Sequence, residues 1–255
     1  MKLLTLNCHS WQEENTLEKL NILAGTIAER EYDVIALQEV SQSEAAGHEN
    51  YAKLLIEKLH ELGQKEYTFI WDMSHFGYEI YEEGVAIITK HPVFSHESFF
   101  ITDQHDIHNW KTRRIVKAEV EVDGRLLSFY SCHLGWWHDE EEPARKQLDR
   151  LLEHASSDKC SFLMGDFNGD PSVRGENYDY VLKAGFKDTY ALAARKDNGF
   201  TVKGKIDGWD ENKQDLRIDY IFVNKPVNVA SSAVVFNGSN KPVVSDHYGV
   251  EIEIQ

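Results

Sequence analysis

The stretch Ser161-Phe162-Leu163-Met164-Gly165-Asp166-Phe167-Asn168-Gly169-Asp170-Pro171 decides how this chain is read. Its first four residues form an apolar run, short and abruptly broken, as expected of a buried strand. Gly165 permits close backbone approach, and Gly169 with Pro171 ends the strand. Side chains two residues apart in a strand share a face. Asp166 and Asn168 therefore converge on one small volume, a carboxylate able to serve as base or ligand beside a neutral amide. Asp and Asn also open turns. The stretch gains weight because other apolar runs in the chain end in the same way.

Working outward, residues 2–6 read as a strand ending at Asn7, and 32–37 as a buried strand ending in Gln38-Glu39. Further strands are expected over 67–71, 84–89, 93–101, 218–223 and 248–254. Residues 115–122 and 125–133 flank Asp123-Gly124, which suits a two-residue type I′ turn. Helices are expected from Asn15, an N-cap with Glu18 three residues on, and over 49–62, 143–155 and 178–183. The first carries an apolar stripe of Leu17, Leu20, Ala24, Ile27 and Ala28. Residues 102–114 and 199–216 lack periodicity and read as loops; the second is long enough to suggest a functional one. No repeat, low-complexity tract or linker divides residues 1–255, so a single domain is expected. Strands outnumber helices and come partly as hairpins. The pattern predicts an α+β sandwich, two sheets packed face to face with helices outside.

The formal net charge of −16 over 255 residues sets the surface against polyanions. Sequence-independent nucleic-acid binding rests on Lys and Arg neutralising phosphates, so a nucleic-acid partner is not expected. A small anionic substrate, neutralised inside a pocket, fits better. No apolar run is long enough to span a bilayer and the N-terminus has no signal-peptide layout. A cytoplasmic location without membrane attachment is the expectation. Cys8, Cys132 and Cys160 are odd in number and lack metal spacing, which argues against disulfides and zinc.

The polar residues that end apolar strands are Asn7, Glu39, His133, Asp166, Asn168, Asp219, Asp246 and His247. Such endings point to one solvated cleft. Carboxylates and a carboxamide without cysteine suit a hard cation, Mg²⁺ or Mn²⁺, and the histidines would then face the substrate. An unpaired buried carboxylate is costly, so Asp219 within an apolar strand needs a partner.

Leu6-Asn7, Leu37-Gln38-Glu39, Gly84-Val85-Ala86-Ile87, His133-Leu134-Gly135, Gly165-Asp166-Phe167-Asn168, Arg217-Ile218-Asp219-Tyr220-Ile221 and Ser245-Asp246-His247 follow one another along the chain. In that order they resemble the endonuclease/exonuclease/phosphatase superfamily over nearly the whole length. The resemblance implies a four-layer α/β/β/α sandwich of two mixed sheets and a metal-dependent hydrolase of phosphate esters. It implies Glu39 as principal metal ligand, with Asn7 and Asp246 completing or tuning the site. Asp166 would orient and deprotonate the attacking water, and Asn168 would hold the nucleophile or a phosphoryl oxygen. His247, oriented by Asp219, and His133 would contact the phosphoryl group from different sides. Abasic-site nucleases of the family carry an acid where this chain has His9, and usually a tyrosine where it has His133. Both differences favour the phosphatase and phosphodiesterase branches and leave one metal or two open.

Trp136 and Trp137 follow His133 in a loop beside the site, where aromatic faces can hold a sugar ring. Trp11 and Trp209 are candidates for the same cleft, with Asp207 and Asp210 as hydroxyl ligands. Arg113 or Arg114 could grip phosphate bidentately; the alternative is an edge-strand charge pair. Residues 102–108, with two aspartates and two histidines, also admit a metal reading. The segments 6–11 and 133–141 resemble a narrower bacterial subgroup acting on maltose 6′-phosphate. The expected activity is thus a phosphomonoesterase on a phosphorylated sugar, the alternative a nuclease or other phosphodiesterase, abasic-site-endonuclease-like or sphingomyelinase-like.

Overall fold

A computed structural model describes residues 1–44, 47–155, 159–206 and 208–255. In chain order they form β1 (Lys2–Asn7), a 3-10 turn (Ser10–Gln12), α1 (Thr16–Arg30), β2 (Val34–Ser43), α2 (Tyr51–Glu61), β3 (Thr68–Gly77), β4 (Tyr81–Thr89) and β5 (Val93–Phe100). There follow β6 (Arg114–Val122), β7 (Arg125–His133), α3 (Ala144–Ala155), β8 (Ser161–Asp166), α4 (Asn177–Lys183), β9 (Lys187–Asp188), α5 (Thr189–Leu192) and β10 (Arg195–Lys196). The last elements are β11 (Val202–Lys203), β12 (Asp215–Leu216), β13 (Asp219–Val223), β14 (Val229–Val235) and β15 (Gly249–Ile254).

Two large mixed sheets result, ordered β10-β14-β15-β1-β2-β4-β3 and β5-β6-β7-β8-β13-β9. Strand alternation sorts their side chains into three apolar layers. Leu3, Val34, Ala36, Val85 and Ile87 of one sheet meet Val116, Ala118, Phe129, Phe162, Met164 and Ile221 of the other. The opposite face of the first sheet, with Leu4, Leu6, Ile35 and Leu37, packs on Leu20, Leu23 and Ile27 of α1 and Leu55 and Leu59 of α2. Tyr130, Cys132, Leu163, Tyr220 and Phe222 of the second sheet face Leu148 and Leu151 of α3 and Val181 of α4. The molecule is therefore an α/β/β/α sandwich. No helix among the described residues is long and apolar enough to cross a membrane.

Several local expectations are corrected. Leu17 is 58 % exposed, and Leu23 takes its place in the buried stripe of α1. Asn15 makes no side-chain cap; its own left-handed backbone (φ 57°) turns the chain into the helix. The 199–216 segment is tied at its base by the β11–β12 ladder. The second buried strand does not end at Glu39: β2 continues to Ser43, past a bulge between Leu37 and Val40 where its pairing with β4 shifts. Asp123 (φ 50°) and Gly124 (φ 72°) both have positive φ, as the hairpin turn requires.

Gly84 faces two irregularities at once. It pairs with Val40 just beyond the β2 bulge, and with Met73 just before a second bulge between Met73 and His75 of β3. A Cβ on Gly84 would sit 2.0 Å from the Asp72 carbonyl oxygen, which only glycine avoids. Gly165 likewise runs 1.9 Å, by the same measure, from the Cys132 carbonyl oxygen. We expect Gly84→Ala to lower unfolding stability by at least about 2 kcal/mol in urea titration, because the contact is to backbone and cannot rotate away. A change below about 0.5 kcal/mol would show that β3 and β4 can separate freely there.

Candidate active site

The inward face that carries the inter-sheet core changes character at one end. In β8 the inward residues run Phe162, Met164, Asp166; in β13 they run Val223, Ile221, Asp219. His133 is the cross-strand partner of Asp166, and Asp166 that of Asp219, so the three form one row. Asn7 ends β1 on the facing sheet, two residues beyond Thr5. The bulge sets Glu39 at φ 53°, a strained conformation for a non-glycine residue, and turns its side chain to the row. The amide of Asn7 donates to Glu39 Oε1 (2.7 Å) and to Asp166 Oδ2 (3.3 Å). His133 Nε2 stands 3.8 Å from each of those two carboxylates.

His247 reaches the row from the turn before β15. Its Nδ1 donates to Asp219 Oδ2 at 2.9 Å, and its Nε2 lies 3.9 Å from Asp166 Oδ2. Burial disfavours charge on this imidazole. The Asp219 carboxylate, through charge and hydrogen bond, outweighs that, and Asp166 adds to it; the group is held well above its ordinary value. His133 lacks such a partner. Burial, then the charges of Arg113, His75 and His247, keep it well below, hence neutral. Burial and the Asp219 charge push Asp166 up to about 7. The two histidines of the site thus differ in charge for a stated reason.

Asn168, also left-handed (φ 46°), has its backbone N–H bonded to Asp166 Oδ1 (2.8 Å). Its amide is oriented from both sides: Nδ2 donates to the Leu134 carbonyl (2.8 Å) and Oδ1 accepts from Trp209 Nε1 (3.0 Å). The 199–216 segment therefore touches the site directly. Gly208 lies so close to Trp136 that a Cβ would sit 2.8 Å from the ring.

These groups open into a cavity of about 450 Å³ whose lining includes Glu39, His133, Asp166, Asn168 and His247, with Arg113, Trp110, Trp136, Trp209 and Asp210. The remaining candidates stand elsewhere. Trp137 packs on Tyr180 (5.6 Å between centroids) in the outer helical layer, because adjacent residues point apart and Trp136 takes the cavity side. Arg114 points away from Arg113, pairing with Asp72 and lying over Phe100. Trp11 donates to the Glu49 carbonyl (2.9 Å), outside the cavity. In the 102–108 segment His105 stacks on Phe100 and His108 on Phe76; no metal cluster forms there among the described residues. Asp207 lies outside the described residues. The cavity wall also includes His75, Glu83, Gln12, Phe76 and Tyr78, which nothing in the sequence singled out.

Asp246 lies 3.8 Å from His9 Nδ1, which bonds Glu13 Oε1 at 3.0 Å. Two groups could share an ion: Asp166, Asp219 and His247, and His9, Glu13 and Asp246, with ligand atoms within 4.8 Å of one another. Glu39 belongs to neither, but burial raises its carboxyl, and Asp246 adds to this against the pull of His9 and Asn7. Asp219 Oδ1 is buried without a hydrogen-bond donor among the described residues. Crowded, under-compensated oxygen donors without cysteine fit a hard divalent cation.

The chain belongs to the endonuclease/exonuclease/phosphatase family, whose pattern matches residues 4–247. Members are metal-dependent phosphoesterases, so the site is that of a hydrolase. A family protein from Leptotrichia buccalis C-1013-b is 42 % identical, with TM-score 0.92 over 100 % of this chain and 99 % of its own. A mannosyl-6-phosphatase of Bacteroides thetaiotaomicron VPI-5482 is 18 % identical, TM-score 0.74, covering 100 % and 99 %. TDP2 of D. rerio, in complex with single-strand DNA product, is 17 % identical, TM-score 0.70, covering 100 % and 98 %. The last two share the fold. No curated protein matches the sequence.

In metal-free protein, Asp219→Asn should lower the His247 pKa markedly, read from the imidazole proton shifts by NMR. The amide oxygen still accepts from Nδ1 but no longer favours the charged ring. An unchanged titration would mean that Asp219 does not hold the charge.

Proposed function

We propose that residues 1–255 form one catalytic domain, a cytoplasmic phosphomonoesterase that hydrolyses a sugar phosphate such as maltose 6′-phosphate. The observation that carries this reading is Arg113. Its side chain is 4 % exposed on the cavity wall. Only Nη1 finds acceptors, the carbonyls of Trp110 (2.7 Å) and Thr112 (3.4 Å), and Nε has none. No carboxylate among the described residues lies within ion-pair distance. A buried guanidinium without a counter-ion is expensive, and a phosphate monoester would supply one bidentately.

The rest of the cavity suits the remainder of such a substrate. Its volume is in the range of small-molecule sites, and Trp110, Trp136 and Trp209 offer ring faces. Arg113 is the one arginine or lysine of the described lining, where a polynucleotide would need a basic track. The mannosyl-6-phosphatase neighbour is consistent with a phosphorylated sugar.

Glu39, with Asn7 and Asp246, would hold Mg²⁺ or Mn²⁺, which polarises the phosphoryl group when bound. Asp166, raised toward neutrality by burial, is matched to taking a proton from water near pH 7. Asn168 fixes an amide hydrogen toward the phosphoryl oxygens. Cationic His247 neutralises charge accumulating there, and neutral His133 faces the same group from the opposite side. Phosphoryl transfer needs mainly this alignment and neutralisation.

Phosphate release from maltose 6′-phosphate, glucose 6-phosphate and trehalose 6-phosphate, with Mg²⁺, should exceed nicking of abasic or undamaged DNA. Faster DNA nicking would replace this reading with a nuclease. Asp166→Asn should lower kcat by at least about a thousandfold with the fold intact by circular dichroism. Trp136→Ala should raise KM about tenfold for maltose 6′-phosphate and less for p-nitrophenyl phosphate; equal changes would exclude a sugar platform.

A further inference from the structure

The segment between β11 and β12 is fastened to the candidate catalytic groups at both ends. At its base lies Thr201, which is buried. The Thr201 carbonyl accepts from the Tyr248 N–H (2.7 Å), and its Oγ1 accepts from the N–H groups of Ile218 (3.2 Å) and Asp219 (3.3 Å). Val202 forms a backbone bridge with His247, and then pairs with Leu216 as Lys203 pairs with Asp215. Farther out, the Asn212 side chain ties the two arms together, donating to the carbonyls of Gly204 and Gln214. Trp209 stands at the tip. Its N–H is bonded to the Ile206 carbonyl (3.0 Å), and its carbonyl accepts from the Asn212 N–H (3.0 Å). The adjoining Gly208 lies against Trp136.

What this tip reaches is the amide of Asn168. Trp209 Nε1 donates to Asn168 Oδ1 at 3.0 Å, and both side chains line the cavity. An indole N–H can only donate, and a backbone carbonyl can only accept. The Leu134 carbonyl, 2.8 Å from Nδ2, therefore decides which end of the amide is nitrogen. One such bond still leaves the amide plane free to swing about the contact. The indole supplies a second fixed point on the opposite atom, so the remaining Nδ2 hydrogen has one direction. Charge matters as well. An amide oxygen with no donor beside a phosphoryl group would set two acceptors against each other. Accepting from the indole removes that conflict and polarises the amide, so that its N–H donates more strongly.

We propose that Trp209 is a positioning residue for the hydrolysis, acting through Asn168, because its indole N–H sets the direction in which that amide donates to the phosphoryl group. This rests on the placing of Asn168 at the phosphoryl oxygens above, and not on which alcohol leaves. The same indole lines the cavity, so contact with the leaving group and alignment of the amide share one side chain. The two roles separate kinetically. A ring face that holds substrate and transition state alike appears in KM, whereas a donor aligned on the transition state appears in kcat.

Trp209→Phe keeps a ring and deletes the N–H. With Mg²⁺, kcat should fall about tenfold on maltose 6′-phosphate and on p-nitrophenyl phosphate alike, with KM for the latter within about twofold of wild type. Asn168→Ala should lower kcat about a hundredfold. Adding Trp209→Phe to Asn168→Ala should cost nothing further, because the indole then has no amide to orient. Losses that simply multiply, or a higher KM with kcat unchanged, would overturn the proposal. A second readout needs no turnover. In metal-free protein, heteronuclear NMR follows the side-chain amide of Asn168, identified by its loss in Asn168→Ala. Those resonances should shift in Trp209→Phe, and the Trp209 indole resonance should shift in Asn168→Ala; unmoved resonances would equally overturn the proposal. Nicking of DNA without hydrolysis of any phosphomonoester would remove the sugar-phosphate reading alone, and the same non-additivity is then expected on DNA. Turnover of no ester at all would overturn both.

Discussion

Period-two alternation in two facing sheets is the constraint on which the site depends. Along β8 and β13 one parity faces the other sheet, and for most of their length it is apolar. The same parity delivers Asp166 and Asp219, and in β7 His133, at the end where the sheets part. A one-residue slip would put these ionisable groups against the outer helices and Leu163 or Tyr220 into the site. The dry core between the sheets, which resists such a slip, therefore also sets the catalytic register. Where the site needs a side chain of the other parity the chain inserts a bulge, once at Glu39 and once before His75. Both bulges meet at Gly84, so one glycine serves Glu39 and the far wall of the cavity alike.

Charge balance decides how the row can exist at all. Glu39, Asp166 and Asp219 are close together and largely removed from water. Burial raises the carboxyls of Glu39 and Asp166, and the charges of the cluster repel one another. His247 compensates Asp219 and Asp166, and its charge in turn requires theirs. His9, raised to about 9 by Glu13, Glu39 and Asp246 in spite of its burial, does the same on the other flank. Arg113 acts differently. With no carboxylate in ion-pair contact among the described residues, its charge adds to burial in keeping His75 and His133 neutral.

Much of this was legible in the sequence because it is carried by short local signals. The β8 stretch breaks where a strand should break, Asp123-Gly124 can hardly be anything but a tight turn, and each strand-end motif states its chemistry in three or four residues. What stayed illegible depends on parity or register. Arg113 and Arg114, or Trp136 and Trp137, are adjacent, and only one of each can face the cavity; outside a regular strand nothing local says which. Glu39 read as a strand end, because a bulge leaves no mark except one residue too many opposite a partner that the sequence does not name. His75 and Glu83 were missed for the same reason. Both lie outside the strands expected over 67–71 and 84–89, and only the longer ladder sets them opposite one another. The hydrogen bond from Trp209 to Asn168 joins residues 41 apart and carries no signal at all.

The acidic surface and the buried arginine bear on the substrate together. A surface of net charge −16 slows the approach of any polyanion, and most of all one that must stay in contact along its length. A small dianion crosses that field once and then meets a guanidinium that no carboxylate among the described residues contacts as an ion pair. On the proposed reading, discrimination against polymers begins in the long-range field, whereas discrimination among small esters lies within the cavity, in its ring faces and its arginine. The first acts on association and weakens with salt; the second acts on the bound state and does not.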